Sequence, residues 1–151
     1  MLRPASSSDL NAIAVLLAEF GLPTRGVVDF LDTFVVAELK GRLVGVGGIE
    51  THGNDALLRS LAVSPENQHC GIATAICDHL EAQAAQLGMD SIYILTETAE
   101  QFFAGRGYAV VARSVAPEAI AASEEFSDLC PQSATFMSYV YPKGTFPRKH
   151  L

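Results

Sequence analysis

A chain of 151 residues has the length of about one domain, and 49% hydrophobic against 18% charged residues supplies one substantial core and argues against disorder. The net charge of −7 argues against a nucleic-acid protein, whose phosphate contacts need a basic face. Cys70, Cys77 and Cys130 fit no zinc spacing and no signal peptide or long apolar span is visible, so the reading is a reduced, soluble, cytoplasmic protein with no metal site and no membrane partner.

Leu2-Arg3-Pro4-Ala5 reads as a short extended start. Ser6-Ser7-Ser8-Asp9 then supplies caps for a helix that carries Leu10, Ile13, Leu17 and Phe20 on one face and stops at Gly21 and Pro23. Val27 to Leu31 suggests a second short helix. Phe34 to Ala37 reads as a strand, Lys40-Gly41 as a turn and Leu43 to Ile49 as the hairpin partner. Gly45, Gly47 and Gly48 lie inside that strand pattern with no helix following. This context rejects a dinucleotide fingerprint and points to a backbone or ligand lying close against the sheet, or to a bulge.

After a turn at His52-Gly53-Asn54-Asp55, the aliphatic run Leu57 to Val63 predicts a buried strand that Ser64-Pro65-Glu66-Asn67 ends. A long helix follows, with Ile72, Ile76, Leu80 and Ala84 on its apolar face, Cys77 and Leu87 beside them, and Asp78, Glu81, Gln83 and Gln86 toward water; Gly88 stops it. Ser91 to Leu95 is a strand, Ala99 to Arg106 a short helix and Tyr108 to Val111 a strand. Pro117 to Ser123 is one more helical turn, Ser133 to Tyr141 a closing strand and Pro142 to Leu151 a frayed tail. No repeat or linker divides the chain, so residues 1–141 read as one domain.

The turn between the third apolar strand and the long helix, Gln68-His69-Cys70-Gly71-Ile72-Ala73, suits an anion. The first amides of a helix have no internal partner and sit at the positive end of the macrodipole. Gly71 lets the backbone approach a ligand, and Ala73 keeps the next position small. Taken alone, a single glycine near a helix start also fits an ordinary connection. Cys70 in this turn, at a helix start, invites a nucleophile reading. Cys77, however, fits core filling, and Cys130 precedes Pro131 with no base nearby in sequence, so no cysteine reads as a nucleophile.

Those six residues resemble the Q/R-x-x-G-x-G/A pyrophosphate loop of the GNAT acetyltransferases, and Leu61-Ala62-Val63 resembles the strand that holds pantetheine through its backbone. The segment Leu95 to Tyr108 is similar to the one in which a GNAT strand splays and a short helix ends in a Gly-aromatic pair. The resemblance runs over residues 2 to 141. It implies an α/β GNAT fold: a mixed central sheet of about seven strands, splayed near its centre, with helices on both faces. Within the family the chain is most similar to the acetyltransferase part of N-acetylglutamate synthase and to the small acetyltransferases of arsenic-resistance operons. Thr96 to Tyr108 and Ser123 to Ala134 carry that similarity, with Leu129-Cys130-Pro131-Gln132-Ser133-Ala134 typical of the arsenic-operon group.

The resemblance implies acetyl transfer from acetyl-CoA to the amine of a small amino-acid-like acceptor in a ternary complex, and leaves a homodimer open. Leu61, Ala62 and Val63 would serve the thioester carbonyl and pantetheine, while Gln68, His69, Gly71, Ile72 and Ala73 bracket the pyrophosphate. Glu50, His52 and Glu97 are candidates for removing the amine's proton, beside a water relay. Phe103 stands at the cofactor position where many members carry the tyrosine that protonates the leaving thiolate, and phenylalanine has no proton to give. Thr96, Thr98, Tyr108 or water would have to replace it. Only Ser133 matches the synthase's Arg-x-Ser carboxylate grip, with Pro131 in the arginine's place. Arg59, inside an apolar strand, invites either an acidic group of the acceptor or a protein carboxylate such as Glu50 or Glu97. Three readings stay open: a small-molecule N-acetyltransferase, a protein or peptide acetyltransferase, and a catalytically silent CoA-binding module.

Overall fold

The computed structural model describes residues 1–129 and 133–142. Its strands are β1 (Leu2–Pro4), β2 (Phe34–Leu39), β3 (Arg42–His52), β4 (Asp55–Val63), β5 (Ser91–Thr96), β6 (Ala109–Val110) and β7 (Thr135–Val140). The α-helices are α1 (Leu10–Glu19), α2 (Ile72–Gln86), α3 (Glu100–Gly105) and α4 (Glu118–Ala121). The fold is α/β, with one seven-stranded sheet in the order β1-β2-β3-β4-β5-β7-β6. The sheet is mixed: β4 and β5 are parallel, whereas β1 with β2, β2 with β3, β5 with β7 and β6 with β7 are antiparallel. The described residues divide into two compact units, one of residues 1–50 with 59–81 and the other of residues 51–58 with those from 82 onward.

In the first unit, β2 and β3 form a hairpin across Lys40 and Gly41, both at positive φ (51° and 76°), the backbone that a two-residue turn needs to match strand twist. α1 places Ile13, Leu16 and Leu17 in a core with Phe34, Val36, Val46 and Ala62. The glycines of β3 have a packing reason. A Cβ on Gly47 would stand 2.7 Å from Ile76 Cγ2, and one on Gly45 would stand 3.0 Å from Ile72 Cγ2, so the bare backbone admits α2 at close range. Gly48 instead lies under the ring of its cross-strand partner Phe34.

β3 runs on to His52, beyond the Leu43 to Ile49 pattern, which puts Glu50 inside the strand and not at a solvated end. A charged residue there breaks the apolar run that marked the strand, yet it is only 3% exposed.

In the second unit, β4 pairs with β5 over Asp55–Leu58 against Ser91–Ile94, four of the nine residues of β4. Leu57, Leu95, Ile120, Ala134 and Phe136 form its core, where the Tyr93 ring stacks on Phe136 at 5.2 Å and Phe126 meets Phe136 edge-on. α2 and α3 end alike. Gly88 (φ 79°) and Gly107 (φ 99°) take the left-handed conformation, while the amides of Met89 and Tyr108 return to the carbonyls of Ala84 and Phe103 at 3.1 and 3.0 Å. This ending shortens the strand expected over Tyr108 to Val111: Tyr108 completes the helix cap, and only Ala109–Val110 pairs with β7. Gln83, expected toward water, is half-buried with its Oε1 enclosed and without a partner, because it flanks the apolar face one turn after Leu80. No helix among the described residues is long and apolar enough to cross a membrane.

Candidate acetyl-donor loop and acceptor residues

In the first unit, β4 delivers the chain into the 3-10 turn Pro65–Asn67 and then the loop that opens α2. Ser64 pins the start of this connection, its amide donating to the Val44 carbonyl at 2.8 Å and its hydroxyl to Asn67 Oδ1 at 2.7 Å. Gln68 Nε2 donates to the Val63 carbonyl at 3.0 Å, so this side chain stitches the loop to the end of β4. His69 (φ 66°) and Gly71 (φ 86°) are both left-handed, and alternation of this kind curls a loop so that its amides converge. The first bond within the helix runs from Ala75 N to Gly71 O at 3.0 Å. The amides of Ile72, Ala73 and Thr74 lie ahead of it, where a helix offers its donors no internal acceptor. Nothing lies within 4 Å of a Cβ built on Gly71. The loop thus combines donors without a helical acceptor, the positive end of a 15-residue helix and open space at Gly71, the combination that takes up a phosphate. Cys70 is exposed beside it.

Directly upstream, Ser60 occupies the left-handed region (φ 62°) in the middle of β4, although it is neither glycine nor exposed. Sequence reasoning missed this kink, since serine carries no left-handed signal; the only mark is a polar Arg59-Ser60 pair within an apolar run. Arg59 is 2% exposed, and its guanidinium is committed to the protein. Nη1 donates to Glu50 Oε2 at 2.8 Å, Nε to Ser60 Oγ at 2.9 Å, and Nη2 to the carbonyls of Arg25 and Pro23 at 2.9 and 3.2 Å. The structure therefore brings together two residues that the sequence assigned to different tasks, Glu50 to proton removal and Arg59 to the acceptor. It turns Arg59 inward, toward the carboxylate it was also matched with.

In the second unit, Thr96 closes β5 and its Oγ1 accepts the Ala99 amide at 3.0 Å, bracing the turn that leads into α3. Glu97 is exposed and accepts a hydrogen bond from Ser133 Oγ at 3.3 Å. Glu97 and Ser133, a base candidate and an acceptor candidate, thus meet here as well. One step along, Thr135 Oγ1 donates to Glu100 Oε1 at 3.3 Å. Phe103 is 1% exposed, held edge-on between Phe102 and Tyr108 at 5.1 Å from each. Tyr108 is buried too. Of the stretch Leu129 to Ala134 that resembles the arsenic-operon group, Cys130, Pro131 and Gln132 lie outside the described residues, as does the tail from Lys143 onward.

At the start of β4, burial and then the charge of Asp90 push the Asp55 carboxyl above the ordinary carboxylate range. Burial and then Asp55 likewise raise the Tyr93 phenol, opposed by a hydrogen bond with Ser91.

Residues 31–110 match the model of the acetyltransferase (GNAT) domain. An amino-acid acetyltransferase of Mycobacterium tuberculosis is 32% identical over 118 residues, covering 72% of this chain and 67% of that protein. An amino-acid acetyltransferase of Pseudomonas putida is 26% identical over 118 residues, and the matched region spans only 27% of its length. Among solved structures, a Mycobacterium tuberculosis protein crystallised with CoA superposes with a TM-score of 0.80 at 25% identity, covering 94% of this chain and 99% of that one. The N-acetylglutamate synthase of Neisseria gonorrhoeae, solved with coenzyme A and N-acetyl-glutamate, shares the fold at a TM-score of 0.80 and 22% identity, over 93% of this chain and 34% of its own. With the family's domain model matching more than half of this chain, the chain belongs to the GNAT acetyltransferases.

Proposed function

We propose that residues 1–141 form an acetyl-CoA-dependent N-acetyltransferase that acts on the primary amine of a small amino-acid-like acceptor. The observation that carries this reading is the Gln68–Ala73 loop, whose left-handed His69 and Gly71 open space over the first amides of α2. A helix start of this kind takes up a diphosphate through its backbone amides, and the Leu61–Val63 backbone precedes it by one short turn. The amino-acid acceptor class rests on the curated relatives, which are named amino-acid acetyltransferases.

The reaction is direct transfer. The amine nitrogen attacks the thioester carbonyl, the N–C bond forms, the C–S bond breaks, and the CoA thiolate leaves. The ammonium must first lose a proton to a base, and backbone amides of the Leu61–Val63 stretch meet the oxygen that gains charge. Among the carboxylates, Glu97 suits the base role better than Glu50: it is exposed and accepts a hydroxyl that can reorient, whereas Glu50 is held by Arg59. The hydrogen bond from Ser133 to Glu97 supports an acceptor-binding role for Ser133 beside that carboxylate. Thr96, Thr98 and water are the groups left to protonate the thiolate, since Phe103 has no hydroxyl and Tyr108 is buried.

The test is acetyl-CoA turnover with free-thiol detection against an amino-acid panel, including analogues with a second acidic group, and against a histone-like peptide. Thiol release with amino acids alone supports the proposal. Release only with the peptide moves the function to a protein acetyltransferase, and binding of acetyl-CoA without any release identifies a silent module.

A further inference from the structure

We propose that the buried Arg59–Glu50 pair is a positioning device for the donor strand: it holds Ser60 in its left-handed conformation and thereby aims the Leu61–Val63 backbone. In an extended strand, successive side chains point to opposite faces, so Arg59 and Ser60 should not meet. Here Arg59 Nε donates to Ser60 Oγ at 2.9 Å, and Ser60 stands at φ 62°, off the extended geometry that would send the two side chains to opposite faces. A left-handed conformation is unfavourable for any residue with a Cβ, and a serine left to itself would return to the extended region. Something must therefore hold it.

The guanidinium does so from a fixed position. Glu50 in β3 takes Nη1 at 2.8 Å, and the carbonyls of Pro23 and Arg25, in the loop after α1, take Nη2 at 3.2 and 2.9 Å. Both partners of the ion pair are almost fully buried, with side-chain exposures of 1% and 4%, so water screens little of the interaction. Three residues downstream, the Val63 carbonyl is tied by Gln68 Nε2 and the Ser64 amide by the Val44 carbonyl. Leu61 and Ala62 are thus anchored on both sides, by the Arg59 lock before them and the loop stitch after them. This inference rests on the proposed acetyl-CoA reading, and it makes Arg59 a positioning residue that touches neither substrate.

The experiment measures acetyl-CoA affinity by calorimetric titration of the full chain, with acetylation kinetics alongside. Arg59→Met removes the lock at similar side-chain length and should weaken acetyl-CoA binding at least tenfold. Adding Ser60→Gly to that variant should recover most of the loss, because glycine adopts the kink with nothing to hold it. A role confined to stability would gain no donor affinity from that second change. A folded Arg59→Met protein with unchanged acetyl-CoA affinity and a raised acceptor KM would overturn the inference and make Arg59 an acceptor ligand. Failure of Ser60→Gly to restore affinity would overturn it too. Should Arg59→Met not fold, Ser60→Ala deletes the hydroxyl acceptor alone; several-fold weaker acetyl-CoA binding supports the lock, and wild-type affinity refutes it. A wild-type chain that binds no acetyl-CoA would sink the functional reading itself, an outcome distinct from wild-type binding with indifferent variants.

Discussion

Single side chains decide whether the α2 loop can hold a diphosphate, and Gly71 is the sharpest case. Its φ of 86° makes any replacement strained by about 1 kcal/mol, but a Cβ there meets nothing within 4 Å, so a longer side chain is accommodated by the fold. Gly71→Glu should therefore stay folded while placing a carboxylate over the first amides of α2, and the thermal stabilisation by acetyl-CoA should disappear. Gly71→Ala, which carries the strain without the charge, should keep most of that stabilisation. A folded glutamate variant with an undiminished thermal shift would remove the diphosphate from this loop. Phe103 gives the second prediction at this scale. Its ring is enclosed between Phe102 and Tyr108, so the hydroxyl of Phe103→Tyr must find a partner or cost about 1–3 kcal/mol of stability, read by denaturant unfolding. If another group already protonates the thiolate, turnover should stay within tenfold of wild type, about 1.4 kcal/mol of barrier. Turnover that appears only in the tyrosine variant would instead mark the natural chain as a silent module.

At the scale of elements, the β2–β3 hairpin rests on a cross-strand fit. Phe34 and Gly48 face one another in register, and a Cβ on Gly48 would lie 2.2 Å from Phe34 Cδ1. Phe34 belongs to a packed core with Ile13, Leu17 and Val36, so its ring has little freedom to withdraw. Gly48→Ala should destabilise the protein by about 1–3 kcal/mol, and the loss should shrink in a Phe34→Leu background, where the smaller side chain leaves space. Additive losses in the double variant would show that the two positions do not conflict. The same hairpin shows where reading from sequence reaches its limit. Lys40-Gly41, the apolar runs on either side and the face of α2 are legible because turn chemistry and periodicity are local properties. The Gln68–Ala73 loop is legible for the same reason, since helix-start amides and a glycine lie together in the chain. The fit of Phe34 over Gly48 joins residues on two strands, and periodicity within either strand does not register it. An arginine in an apolar run signals a buried acidic partner, but Glu50 and Arg59 are nine residues apart and on different strands, so nothing local chooses Glu50 over Glu97 or an acceptor. The kink at Ser60 leaves still less trace, because its cause is the pairing itself and not the residue type.

For the whole molecule, charge and proton binding set the conditions in which the fold is stable. Two carboxyls act with opposite sign. Arg3 donates to both oxygens of Asp9, at 2.8 and 2.9 Å, and holds this carboxyl well below the ordinary range. The unfolded chain then takes up a proton more readily than the folded one, so the contribution of Asp9 is present above about pH 4 and is lost as pH falls below it. Asp55 runs the other way. Burial and the neighbouring charge of Asp90 raise its folded pKa, so the folded state binds the proton more tightly, and stability falls as pH rises from about 4 through the raised value. Above that window the ionised Asp55 remains a standing penalty. Asp55→Asn abolishes the titration and keeps the side chain's size, and should stabilise the protein at neutral pH while making little difference where Asp55 is protonated in both states. Denaturant unfolding at pH 3.5 and 7.5 is the suitable comparison. Both values stand clear of the isoelectric point of about 4.9, where the net charge of −7 at neutrality has vanished and association would obscure the transition. A stability gain of equal size at the two values would assign the effect of the substitution to packing instead of charge. A gain confined to pH 3.5 would reverse the sign of the shift and place Asp55 among the stabilising carboxylates with Asp9.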